Sequence, residues 1–176
     1  MWRDFKVRRG DDSPLFYLIF MIEKENIASW VQEKIEGTDN FLVDIKLSPG
    51  KLIVALDKPS GITLEECSAV SRHLLEQLEP TGFLETHEVE VGSPGMDAPL
   101  VVPQQFYRRI GRELRVYDKL GKEMKGTLLS ANDTGFELKE ITSRKENKKK
   151  IISETTHQLN YGDIREAKLI INFKIK

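Results

Sequence analysis

Cysteine and histidine are scarce in this 176-residue sequence, and their scarcity excludes two kinds of site. Cys67 is the only cysteine, so the chain cannot form an internal disulfide, which fits a reducing, cytoplasmic compartment. The three histidines, His73, His87 and His157, are far apart and lack metal-ligand spacing. The sequence therefore predicts no zinc or iron site, and no other cofactor.

Catalytic motifs are missing as well. No glycine-rich loop of the P-loop or dinucleotide-binding kind occurs. The stretch Gly92–Gly95 lacks the spacing of a G-x-S-x-G nucleophile elbow. The adjacent carboxylates Glu65 and Glu66 are explained by helix capping. We therefore expect a protein that is not an enzyme and has no small-molecule substrate.

Long apolar runs are absent near the N-terminus. Leu15–Ile22 is much shorter than the roughly 20 residues that a membrane-spanning helix needs. Basic residues precede this run, as in a signal peptide, but Asp11 and Asp12 interrupt the pattern and no small-residue cleavage site follows. We expect no membrane partner. Residues 1–21 are interpreted as a poorly ordered extension, with Met21 as an alternative start.

Charge is present in quantity and is strongly segregated, although the net charge of the chain is only −1. Residues 22–98 carry 15 acidic and 6 basic side chains, a net charge of −9, whereas residues 99–176 carry 17 basic and 10 acidic, a net charge of +7. A sign reversal of this size predicts two modules with different partners.

The acidic half has the pattern of a small α/β domain, predicted over residues 22–92. Apolar residues at helical spacing after Ile27 end at Gly37, and period-two alternation over Phe41–Leu47 predicts a strand. A Pro49-Gly50 turn leads into a second strand, and Thr63–Glu66 matches a capping box that begins a second helix. A third strand is predicted at 87–91. The order α-β-β-α-β lets two helices cover a three-stranded sheet, and Cys67 is expected in its core.

Residues 93–103 are predicted to form the junction between the domains. Ser93-Pro94-Gly95 has the chemistry of a tight turn, and Pro99 and Pro103 stiffen the chain that follows. On these residues alone the segment is a linker.

The basic half, residues 104–176, has the pattern of a small β-barrel. A short helix at 103–110 is followed by five short strands, at 112–117, 123–130, 136–141, 150–155 and 167–173. Tight turns of Gly, Asn and Asp separate the first three strands. Such strands favour a closed or nearly closed barrel.

Three groups of bases in this half are candidate contacts for RNA, because cations meet phosphates. The first two groups lie near the junction and around the first hairpin: Arg108, Arg109, Arg112 and Arg115, then Lys119, Lys122 and Lys125. A weaker group lies in the predicted loop 142–150: Arg144, Lys145, Lys148, Lys149 and Lys150. The alternative for each group is a solubilising surface. Phe106, beside the first group, is interpreted as a core residue.

The junction, with several other stretches in order, resembles the RimP family of ribosome maturation factors. Its residues Ser93, Pro94, Gly95, Asp97, Pro99 and Leu100 are similar to that family's VSSPGLxRPL-like signature. Further similar stretches are Gly61–Cys67, Val70–Arg72, Phe106, Ile110–Glu113, Lys125–Leu129 and Ile164–Ala167. Two residues differ: Gly92 stands where the family often has Ser, and Ala98 where it usually has Arg.

The resemblance implies an SH3-like or Sm-like barrel and a function without catalysis. It implies a monomer that binds the immature small (30S) ribosomal subunit, through ribosomal RNA and a ribosomal protein. The absence of Arg at position 98 moves the expected RNA contact to the arginines beyond the junction. A second hypothesis stays open, namely an adaptor whose SH3-like barrel binds a peptide and no RNA.

Overall fold

The structure is a computed structural model that describes residues 22–146 and 149–171. The predicted extension 1–21, Lys148 and Phe173 lie outside the described residues. The described chain forms two compact units. The first ends at Ser93, and the second comprises Pro94 onwards together with Pro59–Gly61. The predicted α+β fold with two domains is confirmed.

Two helices and three strands form the first unit. In chain order they are α1 (Lys24–Ile35), β1 (Phe41–Ser48), β2 (Lys51–Asp57), α2 (Leu64–Leu78) and β3 (Glu88–Gly92). β1 and β2 form an antiparallel hairpin, while β3 pairs in parallel with β2. A parallel neighbour requires a crossover connection, and α2 lies in that crossover.

The core of the first unit comes from the apolar stripes that the sequence predicts. Ile27, Val31 and Ile35 from α1 are buried, and from α2 so are Val70, Leu74 and Leu78. They pack with strand residues that include Leu52, Val54 and Leu56. Cys67 is buried as predicted.

The predicted capping box at the start of α2 is present. The Thr63 hydroxyl accepts a hydrogen bond from the Glu66 N–H at 3.2 Å, and a Glu66 carboxylate oxygen accepts one from the Thr63 N–H at 2.9 Å. Two backbone donors that would otherwise lack a helical partner are thereby satisfied. The second oxygen of Glu66 accepts from Lys58 Nζ at 2.7 Å, which ties the helix to the end of β2.

A short helix and a five-stranded sheet form the second unit. They are α3 (Pro103–Tyr107), β4 (Glu113–Asp118), β5 (Glu123–Ala131), β6 (Gly135–Glu146), β7 (Lys149–Asn160) and β8 (Ile164–Leu169). The strand order is β7-β6-β5-β4-β8, and all four pairings are antiparallel. The sheet is barrel-like, and Leu114, Val116, Leu128, Leu138 and Phe106 are among its buried core.

The prediction of a lysine-rich loop at residues 142–150 is wrong. β6 extends to Glu146 and β7 begins at Lys149, and their pairing runs from Gly135↔Asn160 to Glu146↔Lys149 without a register shift. The physical reason lies in residues such as Thr142, Ile151 and Ile152, whose β-branched side chains favour extended backbone. The run of charges therefore belongs to a long hairpin.

The last strand also differs from its predicted range of 167–173. β8 begins at Ile164 and ends at Leu169, so Ile170 and Ile171 follow the strand. Its early start is explained by pairing, because Ile164 already lies opposite Asp118 of β4. Among the described residues, no helix is long and apolar enough to cross a membrane.

Candidate nucleic-acid interface

The outward face of the second sheet carries a row of cations across three strands. In β4, Leu114 and Val116 are buried in the core, so Arg115 points to the opposite side and is exposed. Arg115 lies directly opposite Lys168 of β8 and directly opposite Lys125 of β5. Three positive charges therefore stand side by side, one on each strand.

A register shift adds a fourth cation to this face. The pairing of β4 with β8 shifts between Tyr117 and Asp118, so that Tyr117 lies opposite Glu166 and Asp118 opposite Ile164. Arg165 is the extra residue, and such a bulge re-aims a side chain. The Arg165 guanidinium lies 5.3 Å from the centre of the Tyr117 ring, in cation–π geometry. We call Lys168, Arg115, Lys125 and Arg165 the basic strip.

One carboxylate, that of Glu123, pairs with two cations of the basic strip. Glu123 Oε1 lies 3.3 Å from Arg115 Nε and 3.1 Å from Lys125 Nζ, and it accepts a hydrogen bond from the Tyr117 hydroxyl at 3.1 Å. These donors, with Lys125 first, lower the pKa of Glu123 and keep it ionised.

The acids on this face do not neutralise the cations. Glu166 pairs with Lys168 at 2.8 Å, and Glu123 pairs with Arg115 and Lys125. Glu113 shares the exposed face of β4 with Arg115 and is a third carboxylate on this side, so four cations face three carboxylates. The excess is positive and exposed, which is the electrostatic requirement for contact with a polyanion.

The structure brings only part of the first predicted group to the strip. Arg108 and Arg109 lie at the C-terminal end of α3, and Arg109 donates to the Gln105 carbonyl at 2.8 Å. Arg112 is exposed in the turn before β4, where its carbonyl accepts from the Leu128 N–H at 2.9 Å. Arg115 belongs to the strip.

The second predicted group is divided in the same way. Lys119 and Lys122 are exposed in the turn between β4 and β5, and the Asp118 carboxylate accepts from the Lys122 N–H at 2.8 Å. Lys125 lies on β5 and belongs to the strip. Arg115 and Lys125, which the sequence assigns to different groups, therefore share one site.

The weaker group lies at the far end of the β6–β7 hairpin. Lys145 is opposite Lys150, and Glu146 is opposite Lys149, in the backbone pairing. Lys148 lies outside the described residues. This hairpin is at the β7 edge of the sheet, whereas the strip lies on β8, β4 and β5.

The junction residues make backbone contacts within the second unit. The hydrogen-bonded turn runs from Gly95 to Ala98, with the Ala98 N–H donating to the Gly95 carbonyl at 3.0 Å, so it falls later than predicted from Ser93-Pro94-Gly95. Asp97 is at its exposed tip. Leu100 is buried and donates its N–H to the Ala167 carbonyl at 2.8 Å, which anchors the end of the junction on β8.

Aromatic residues near α3 are structural. Phe106 is buried, as predicted, and stacks on Phe136 with ring centres 4.8 Å apart. Tyr161 packs against both rings, and burial first, then nearby Tyr107 and Asp133, raise its pKa to about 12. Phe106 and Phe136 are therefore part of the core, and Tyr161 packs against it. Tyr117, by contrast, lies beside the basic strip, where its ring faces Arg165.

Other site chemistry is lacking in the described part of the chain. No group of three or more His, Cys, Asp or Glu residues there could hold a metal ion. Burial raises the pKa of the Cys67 thiol, which opposes a nucleophilic role.

Sequence reasoning missed Lys168, Arg165 and Tyr117 as members of a site. A signal for Lys168 existed, because alternation that turns Ala167 and Leu169 inward turns Lys168 outward. Nothing local marked Arg165, since its orientation depends on a bulge between two strands distant in sequence.

Comparisons with known proteins agree with this architecture. The RimP N-terminal domain model matches residues 30–97. The ribosome maturation factor RimP of Porphyromonas gingivalis is 32% identical over 154 residues, covering 86% of this chain and 100% of the relative. That of Cytophaga hutchinsonii is 33% identical over 162 residues, covering 86% and 95%. That of Chlorobium chlorochromatii is 44% identical over 87 residues, covering 47% and 49%. With this identity over most of its length, the chain belongs to the RimP family of ribosome maturation factors.

Proposed function

We propose that this protein promotes maturation of the small (30S) ribosomal subunit by binding the immature subunit in the cytoplasm, without catalysing a reaction. Membership of a family of ribosome maturation factors supports the ribosomal role. The observation that supports RNA contact is the basic strip, where four cations outnumber the three carboxylates on the same face. The contact is with the phosphate backbone of ribosomal RNA.

The first unit is the part of the protein that we propose binds the second partner, a ribosomal protein. Acidic residues exceed basic ones strongly over residues 22–98, and many of its carboxylates are exposed on the helices and on β3. Such a surface repels RNA and attracts a basic ribosomal protein. The opposite charges of the two units thus correspond to two classes of partner on one assembly intermediate.

Binding alone accounts for the activity. A factor that binds one conformation of the immature subunit more tightly than its competitors shifts the population towards that conformation. No reacting group is needed for this, and the protein is expected to act as a monomer.

Salt dependence tests whether the strip binds phosphate. Three neutralised phosphates on single-stranded RNA give a slope of log K against log [salt] of about −2. We expect the triple substitution Arg115→Gln, Lys125→Gln and Lys168→Gln to remove most of that slope. The matched control replaces three cations of the first unit, Lys24, Lys34 and Lys46, with Gln and leaves the slope unchanged. Equal slopes for the two triple variants would refute the strip as the RNA contact.

Particle profiles in cells test the ribosomal role. Depletion of the protein should cause small-subunit precursors to accumulate, and the wild type should restore the normal profile. The strip variant should fail to restore it, although the control variant succeeds. A second arm reverses the charges of Arg108, Arg109 and Arg112. Rescue by that arm would exclude these three arginines from the interface.

Failure of the wild type to sediment with small-subunit particles at low salt would contradict the proposal. Crosslinks to proteins alone, with none to RNA, would instead favour an adaptor that binds a peptide.

A further inference from the structure

We propose that Glu123 occupies a pre-formed anion site made by Arg115, Tyr117 and Lys125, and that an RNA phosphate binds there by displacing the Glu123 carboxylate. The inference rests on the RNA contact proposed above and identifies the step that controls it. It makes the carboxylate an internal competitor of the ligand.

The geometry is that of a filled anion site. Three groups converge on a single oxygen, Glu123 Oε1. Arg115 Nε and Lys125 Nζ are ion-pair partners at 3.3 and 3.1 Å, and the Tyr117 hydroxyl donates a hydrogen bond at 3.1 Å. Two of the donors are charged and one is a phenolic hydroxyl. A phosphate oxygen accepts the same kinds of hydrogen bond as a carboxylate oxygen, so these donors suit either anion.

Backbone pairing keeps the residues that carry these groups side by side on neighbouring strands, whether or not the carboxylate is present. Arg115 lies opposite Lys125, and Tyr117 lies opposite Glu123, on the hydrogen-bonded pair β4 and β5. Glu123 reaches Arg115 along the diagonal of the ladder, a distance that long side chains span. Removal of the carboxylate therefore leaves the donors on the same rigid strands.

The site is accessible from solution. The side chains of Arg115, Glu123 and Lys125 are 48%, 39% and 51% exposed. An incoming anion displaces the carboxylate without opening the core. The exposed carboxylate rotates into water at small cost, since exposed ion pairs contribute little to stability.

Internal competition selects polyanions over single anions. In the free protein the carboxylate offsets the repulsion between like charges on facing residues, which destabilises a sheet. A single phosphate ion gains only the contacts that the Glu123 carboxylate gives up, so its net gain is small. A polynucleotide also gains Lys168 and Arg165, the remaining cations of the strip, so its binding outweighs the loss.

The test removes the competitor and leaves the donors. The full chain carrying Glu123→Gln is compared with Glu154→Gln, which makes the same charge change at the Lys139–Glu154 pair (2.6 Å) on β6 and β7. The probe is a fluorescein-labelled ten-nucleotide oligouridylate, followed by anisotropy. From the usual worth of two exposed ion pairs, Glu123→Gln should bind about threefold to tenfold more tightly than wild type. The control should change affinity by less than about twofold.

A double variant tests whether the gain passes through the proposed donors. Arg115→Gln combined with Glu123→Gln should lose most of the gain. A carboxylate that only repels the RNA through its own charge would instead give the same gain with or without Arg115. The Nε–H resonance of Arg115 should also shift on addition of the oligonucleotide to wild type.

Equal gains for Glu123→Gln and Glu154→Gln would show an effect of net charge alone and would overturn the inference. An absence of oligonucleotide binding by all the variants would overturn it as well. Tighter binding by Glu123→Gln in a protein that does not associate with small-subunit particles would uphold the anion site and refute the proposed function instead.

Discussion

Gly126 is a position of the second sheet at which a single added methyl group should destabilise the protein. A Cβ atom at this position would lie 2.3 Å from the carbonyl oxygen of Lys139 and 2.7 Å from its carbonyl carbon, whereas ordinary contact begins at 3.4 Å. Both obstructing atoms belong to the backbone of β6, so no side chain can rotate away. In Gly126→Ala, β5 and β6 must therefore move apart.

The expected cost follows from two opposing effects. Overpacking of this kind typically costs about 1–3 kcal/mol. Replacing Gly by Ala returns about 0.4–1 kcal/mol at most, by restricting the unfolded chain. We expect a net loss of about 1.4 kcal/mol in the stability of the second unit. The loss should spread to RNA binding, since Lys125 adjoins the distorted position.

Hydrogen exchange gives the direct assay, because it measures the two units separately. Amides of β5 and β6 should exchange about tenfold faster in Gly126→Ala, which corresponds to the expected loss. Gly162→Ala is the matched control, since a Cβ there meets no atom within 4 Å. Equal protection in the two variants would refute the argument from backbone contact.

Three further predictions concern the first unit. Thr63→Ala removes the hydroxyl that caps α2, and urea denaturation should show a loss of about 1 kcal/mol; no change would mean that the cap is dispensable. Lys58 and then the Thr63 N–H hold the pKa of Glu66 at about 2, below its ordinary 4.5. Because the pKa of Glu66 is lower in the folded than in the unfolded chain, its ionisation stabilises the fold fully above about pH 4.5, and this contribution is lost as pH falls through about 2. Glu66→Gln should therefore flatten the dependence of stability on pH between about 4.5 and 2. Cys67 is buried with a raised pKa, so iodoacetamide at pH 8 should alkylate it far more slowly in the folded than in the denatured protein; equal rates would contradict its burial.

Elements with strong local signals were predictable from the sequence. The capping box at Thr63 and the apolar period of α2 depend on residues within a few positions of one another. The same holds for the Pro49-Gly50 turn between β1 and β2. The parallel pairing of β3 with β2 depends on tertiary packing, and no local pattern encodes it.

The candidate site was predictable only in part. Exposed cations such as Arg115 and Lys125 are visible in the sequence, but their meeting depends on cross-strand register. Arg165 faces Tyr117 because of a bulge between β4 and β8, which join distant segments. The lysine run at 148–150 led to the wrong prediction of a loop, since a composition that suits a loop also suits a β-hairpin.

Crosslinking in cells tests the central claim most directly. Ultraviolet crosslinks between this protein and small-subunit ribosomal RNA should map to the strands of the basic strip, with Tyr117 as the expected aromatic acceptor. RNA crosslinks confined to α1, α2 and β3 of the first unit, or protein crosslinks without RNA, would contradict the account.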